Sequence, residues 1–299
     1  MKRICSLLLV SFAVAAVGTI ALAQNPLLNF GTPQGTNALA ASAGFIDILG
    51  IKLGMPAEEA LATLKKNYPA AKISLERTPD YESAWFRIER ENPAHKWAYM
   101  IEVDPNGPGD KIYAGLTLPP SKQVVTGVGR QSFLKEPVAV ENIVASLRKK
   151  YGQETYGVDY RMGGVAPFDG SSKQLLWIFD PQGNPVKPDV VSKNATICTT
   201  GVSGDMGAPR VTLDKGRPYD RAGSNNLCWS YVVLNALIQV QYPTQGITGQ
   251  ATSFTVVAFD WPLITSGANA LYAFLDQRGR ELANKEAQDA KKRGGELKY

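Results

Sequence analysis

Two stretches of the chain place apolar residues at the same helical spacing. Ala57, Ala60, Leu61, Leu64 and Tyr68 line one face of an amphipathic helix. Gly54-Met55-Pro56 opens it, since proline is tolerated in a first turn where its missing N–H costs no hydrogen bond. Glu58 and Glu59 suit the positive end of the helix dipole. Val140, Ile143, Val144, Leu147 and Tyr151 repeat the spacing 83 positions on (57 to 140). Glu141 stands where Glu58 does, the pairs Lys65-Lys66 and Lys149-Lys150 precede the two tyrosines, and Gly152 predicts a C-cap.

Strand-like runs follow each helix. After the first come Ala84–Ile88 and Trp97–Val103, the latter leading into Asp104-Pro105-Asn106-Gly107. After the second, Leu175–Phe179 leads into Asp180-Pro181-Gln182-Gly183. Asp-Pro-x-Gly is turn chemistry, because proline presets φ and glycine accepts positive φ. Further β segments are expected at Lys111–Leu118, Gln123–Val128, Thr196–Thr199, Leu227–Val240 and Ser253–Phe259, and Phe45–Leu53 reads as an apolar strand-like entry. Asp260 is placed to cap a last helix, with Ala270, Leu271, Phe274 and Leu275 on its apolar face and a charged, solvated end beyond Leu282. The expectation is an α+β fold: two helix-plus-antiparallel-sheet units that suggest an internal duplication, and a C-terminal helix. The expected units are 45–130, 131–260 and 261–299.

The N-terminus changes the picture from fold to location. Lys2 and Arg3 precede an apolar stretch from Leu7 to Ile20, then Ala21-Leu22-Ala23 before Gln24. That is the pattern of a cleavable secretory signal over 1–23. The apolar run is short for a membrane span, which needs about 20 residues. Residues 24–44, rich in Asn, Gly, Ala, Ser and Thr, read as a flexible leader. Removing Lys2 and Arg3 changes 32 basic against 27 acidic residues to 30 against 27, about +3. So small and dispersed an excess argues against nucleic acid or an anionic membrane as partner. No stable membrane anchor is expected after cleavage, and the product is expected to be periplasmic or secreted. Cys5 leaves with the signal, and Cys198 and Cys228 are expected to pair. Closing a loop of 30 residues (228 − 198) would stabilise by roughly 3–4 kcal/mol in the chain-entropy model. It would tie off the Gly-, Asp- and Pro-rich stretch Val202–Asn226.

Candidate chemistry is sparse. His95, the only histidine, lies in a turn-like Asn-Pro-Ala-His-Lys segment, and zinc sites or His-dependent triads need more than it offers. Ser132–Lys135 and Ser146–Lys149 match Ser-x-x-Lys without its partner motifs. Gly127-Val128-Gly129 lacks the third glycine and following helix of a dinucleotide site. Asp104, Asn106 and Asp110 are weak candidate calcium ligands, as are Asp180, Asn184 and Asp189, but neither set has the spacing of a known calcium loop. Trp85, Trp97, Trp177, Trp229 and Trp261 mostly sit in apolar β runs and read as core. No cofactor is implied.

The run Asp47-Ile48-Leu49-Gly50-Ile51-Lys52-Leu53-Gly54-Met55, followed at once by an acidic amphipathic helix, resembles the opening of bacterial envelope proteins with the β-lactamase-inhibitor-protein-like fold. These include small outer-membrane-assembly lipoproteins. Leu147–Gly152 resembles the L-x-x-K-Y-G helix end of such chains. The resemblance implies helices layered on an antiparallel sheet and, in tandem versions, protein binding on the open sheet face. Pro56 replaces the usual Ser or Thr cap, and no lipid-bearing cysteine is present. The expected function is a non-enzymatic, protein-binding or accessory module of the bacterial envelope, with another envelope or secreted protein as partner. The alternatives are a carboxylate-based hydrolase of unfamiliar class and a calcium-stabilised secreted protein.

Overall fold

The first apolar run turns back on itself instead of extending as one strand. The computed structural model describes residues 44–78, 97–105, 110–160, 171–187, 230–241 and 249–295. In it Asp47–Ile48 (β1) and Ile51–Lys52 (β2) form a hairpin with Ile48 opposite Ile51. The two turn residues, Leu49 (φ 58°) and Gly50 (φ 83°), both lie in the left-handed region, as a two-residue hairpin turn of matching twist requires. A leucine there is uncommon because its Cβ crowds the backbone. Its side chain is half-buried against the main core, which helps to offset that cost.

Helix α1 (Ala57–Asn67) buries Ala57, Ala60, Leu61 and Leu64, as the spacing predicts. Pro56 sits at the N-cap itself, one position before the expected first turn. Strands β3 (Lys72–Thr78), β4 (Trp97–Asp104), β5 (Lys111–Leu116) and β6 (Val125–Ala139) follow. Helix α2 (Val140–Tyr151) starts directly after β6 and ends at Gly152, whose φ of 81° suits the expected C-cap. It is followed by β7 (Tyr156–Tyr160), β8 (Ser171–Phe179), β9 (Val232–Gln241) and β10 (Gln250–Asp260). The last element, α3 (Trp261–Gly295), starts directly after β10. The Asp260 carboxylate accepts the Leu263 N–H at 2.9 Å, the expected N-cap bond.

β3 to β10 form one eight-stranded antiparallel sheet in the order β3-β4-β5-β6-β10-β9-β8-β7. Among the described residues α1 and α2 are thus each followed by four strands, and the two runs join edge to edge through β6 and β10. The boundary expected at residues 130/131 falls inside β6, which continues to Ala139. Along the seam Phe259 pairs with Gly127, Val257 with Gly129 and Thr255 with Gln131. The register then jumps, from Ser253 opposite Phe133 to Ala251 opposite Val138, so residues 134–137 bulge out of β6.

One sheet face is covered by α1, α2 and the β1–β2 hairpin. Strand alternation sends Leu175, Trp177 and Phe179 to that side and Leu176 and Ile178 to the other. Burial on both faces explains why this strand is a continuous apolar run. The C-termini of both helices hold the hairpin. Asn67 Nδ2 donates to Leu49 O at 3.2 Å, while Lys150 Nζ and the Tyr151 hydroxyl donate to Asp47 O at 2.8 and 2.7 Å. Trp177 Nε1 donates to Gly152 O at 2.9 Å, so this buried tryptophan fixes the end of α2.

The other face is covered at one end by the first half of α3. Trp261 and Ile264 cluster with Leu176, Ile178, Val233, Val257 and Phe259, while Leu271 and Leu275 meet Leu118 in the β5–β6 connection. Gly127 makes room for this layer. A Cβ there would lie 2.7 Å from Cδ1 of Phe259 and 2.9 Å from its Cε1. Gly127→Ala should therefore lower stability by about 1–3 kcal/mol, read as a fall in the urea midpoint. An unchanged midpoint would mean that the Phe259 ring is free to move away.

Candidate functional site

The chemistry-bearing residues singled out from the sequence do not converge. Ser132 is buried in β6 while Lys135 is exposed in the bulge beyond it. Ser146 spends its hydroxyl on the carbonyl of Asn142 at 2.8 Å, one turn back on α2. Gly127-Val128-Gly129 lies mid-strand between β5 and β10, so no helix N-terminus follows to hold a phosphate. Asp180 is occupied by its own turn: Oδ1 accepts the N–H groups of Gln182 and Asn184 at 2.9 and 2.8 Å, and Oδ2 accepts Asn184 Nδ2 at 2.9 Å. These bonds hold the Asp180 carboxyl below the usual range, the Asn184 side chain first. Gly183 at φ 90° completes the turn, as the Asp-Pro-x-Gly pattern predicts. Asp110 Oδ1 accepts the Phe133 N–H at 2.9 Å, which ties the β4–β5 connection to β6. Among the described residues no group of three or more His, Cys, Asp or Glu is placed to hold a metal ion. The signal segment and most of the leader, Trp85, His95, Asn106, Asp189, Cys198, Cys228, Trp229 and the stretch Val202–Asn226 lie outside the described residues. Trp177 and Trp261 are buried, as core tryptophans should be.

Two surfaces remain. The first is the sheet face opposite α1 and α2, covered at one end by α3 and open beyond it. Register and alternation assign its rows. Ser74, Glu102, Tyr113, Gly129, Val257, Asn235, Leu176 and Tyr156 form one row across all eight strands. The next places Lys111, Gln131, Thr255, Leu237 and Gln174 side by side, and the one after it Phe133, Ser253, Gln239 and Ser172. Charge is confined to the β3–β5 flank. There Lys111 Nζ donates to Glu102 at 2.5 Å, and that carboxylate raises the lysine pKa, while burial raises that of Tyr113 beside it. From β6 to β8 the first row holds the buried Val257, Asn235 and Leu176, while the next two carry amides, hydroxyls, one leucine and Phe133, which is 53% exposed. Gln174 Nε2 donates to the buried Asn235 Oδ1 at 3.1 Å.

The second surface is the distal part of α3. Trp261, Leu263, Ile264, Ala268, Ala270, Leu271, Tyr272 and Leu275 are buried, but no residue from Asp276 to Gly294 is. The charged end beyond Leu282 is solvated, as the sequence predicts, and the helix continues through Gly295. At about 1.5 Å per residue the uncovered part runs for roughly 28 Å. Its side-chain bonds are local: Glu281 accepts from Gln277 and Arg278, each at 3.1 Å. No helix among the described residues is long and apolar enough to cross a membrane.

The resemblance implied an open sheet face, but the sequence did not locate its residues. Its residues come from strands far apart in the chain, and only register brings Gln131, Thr255, Leu237 and Gln174 together. The polar alternation of Ser253, Thr255 and Val257 was the available signal. No protein-family model matches the chain, and no curated protein or solved structure shows significant similarity to it.

With Asp180 committed to its turn and Asp110 to Phe133, chelation should leave the melting temperature of a chain of residues 24–299 unchanged. A calcium-dependent rise in thermal scans would contradict this and restore the calcium-stabilised alternative.

Proposed function

We propose that the chain is an exported, non-enzymatic accessory module of the bacterial envelope that binds another protein through the distal part of α3. The observation that carries this reading is a helix that is regular for five turns beyond its last buried residue, Leu275. Helices in proteins draw most of their stability from packing an apolar face, and a helix that is polar all round gains little from propensity alone. Gly279 within this stretch costs a further ~1 kcal/mol relative to alanine. A partner surface against Asp276–Gly294 supplies the missing packing. Arg278, Arg280, Lys285, Lys291, Lys292 and Arg293, interspersed with Asp276, Glu281, Glu286 and Asp289, would set the register of docking and its rate more than its strength.

The signal segment 1–23, cleavage before Gln24 and the Cys198–Cys228 disulfide belong to the same proposal, since an oxidising compartment allows all three. So does a duplicated origin. Among the described residues the order of one helix then four strands occurs twice, and Asn67 and Lys150, 83 positions apart like the helix faces, each bond the β1–β2 hairpin. The resemblance to envelope modules of helix-on-sheet type points the same way.

The test is cross-linked capture from envelope extract with mature 24–299 and with a chain ending at Arg280. The expected result is one stoichiometric protein captured by the first and lost with the second. The truncated chain should keep its thermal midpoint, because the deleted turns bury nothing. Equal capture by both chains would sink the proposal.

A further inference from the structure

We propose that the uncharged rows between β6 and β8 are a binding face for a neutral, hydroxyl-rich glycan chain, a site separate from the protein-binding helix. One residue in five of this chain is charged (20%), yet Gln131, Phe133, Thr255, Leu237, Gln239, Gln174 and Ser172 bring no charge to the face, and the buried Ser253 and Asn235 bring none beneath it. An ordinary solvated sheet surface would draw lysines and glutamates, as the β3–β5 flank of this same face does with Lys72, Glu76, Glu102 and Lys111.

The hydrogen-bonding groups are also unspent. Apart from the Gln174–Asn235 bond, no hydrogen bond joins the side chains of Gln131, Thr255, Gln239 or Ser172 to the described residues. A glutamine amide offers donor and acceptor together, and a threonine or serine hydroxyl does the same. Sugar hydroxyls have the same dual character, so each pairs with either without a fixed charge. Gln131, Thr255, Leu237 and Gln174 are successive neighbours across four strands, at about 4.8 Å per step. The row therefore spans roughly 14 Å, the scale of a few linked sugar rings. At its β6 end stand two rings that can lie against the apolar faces of sugars. Phe133 is half-exposed on β6, and Tyr113 is half-buried one strand beyond it. Protein-binding patches are richer in apolar and arginine anchors than this face, where Leu237 is the one aliphatic side chain in the two outer rows. The charge pattern excludes acidic polymers as the preferred ligand: these rows hold no cation from β6 onward, and Lys111 is already engaged by Glu102.

The test is titration calorimetry of mature 24–299 with four neutral hexasaccharides, a β-1,4-glucan, an α-1,4-glucan, a β-1,3-glucan and N-acetylated chitohexaose, and with polygalacturonate as the acidic control. At least one neutral oligosaccharide should bind, with affinity unchanged between about 50 and 500 mM salt, since no ion pair is made. Gln239→Ala, at an exposed position that cannot disturb the core, and Phe133→Ala should each weaken it about tenfold, the effect of ~1.4 kcal/mol. Thr255→Glu, which puts a carboxylate into the middle of the row, should abolish it. The chain ending at Arg280 should bind the sugar as well as the full mature chain, so this result and the capture experiment fail independently. The proposal is overturned if none of the four neutral sugars binds, if polygalacturonate binds more tightly, or if binding survives Thr255→Glu. It is equally overturned if capture of a protein is lost with Gln239→Ala, which would assign the face to that protein.

Discussion

The pairing of β6 with β10 is the contact on which the rest of the molecule depends. These strands lie more than a hundred residues apart, yet they unite two four-stranded runs into one sheet. Without the seam, each run would end in an open strand edge whose N–H and C=O groups are a template for wrong pairing. With it, the exposed edges are reduced to β3 and the five-residue β7. The seam also fixes both flanking helices. β6 passes without a break into α2 and β10 into α3, so the register Phe259–Gly127 sets where each helix starts. Gly127 is what permits that register, because a side chain there would displace the Phe259 ring on which the α3 layer rests.

From the seam follows the difference between the two faces. α1, α2 and the β1–β2 hairpin cover one face, and the hairpin is gripped by residues from the C-termini of both helices. On the other face, α3 covers the apolar end and then runs off the domain. The uncovered rows and the uncovered helix are therefore two consequences of one geometry. A helix that crossed the face squarely would have left neither.

Local elements were legible in the sequence where one pattern dominates. The α1 and α2 faces, the Gly152 cap, the Asp260 cap and the Asp180–Gly183 turn all follow from short-range rules, and the structure has each where the residues place it. Phe45–Leu53 misled because an Ile-Leu-Gly-Ile run reads as one strand. A hairpin turn of this type normally announces itself with Asn-Gly, and here a leucine takes the left-handed position because packing holds it. The continuation of β6 through Arg130-Gln131 was hidden by its polar residues and by the bulge at 134–137. A strand with one polar open face and a bulge keeps neither alternation nor a continuous apolar run. The single sheet was not legible at all, since the choice between two sheets and one rests on a long-range pairing with no local signature. The polar face was missed for the same reason.

Residue-resolved hydrogen exchange of the protein tests the seam most directly. If β6 and β10 unite the two runs into one cooperative sheet, amides across the seam, such as those of Gly129 and Val257, exchange only through global unfolding. They then share one opening free energy with the inner strands β5 and β9. Opening of the seam at a lower free energy than either four-stranded run would contradict the account and make the two runs separate folding units.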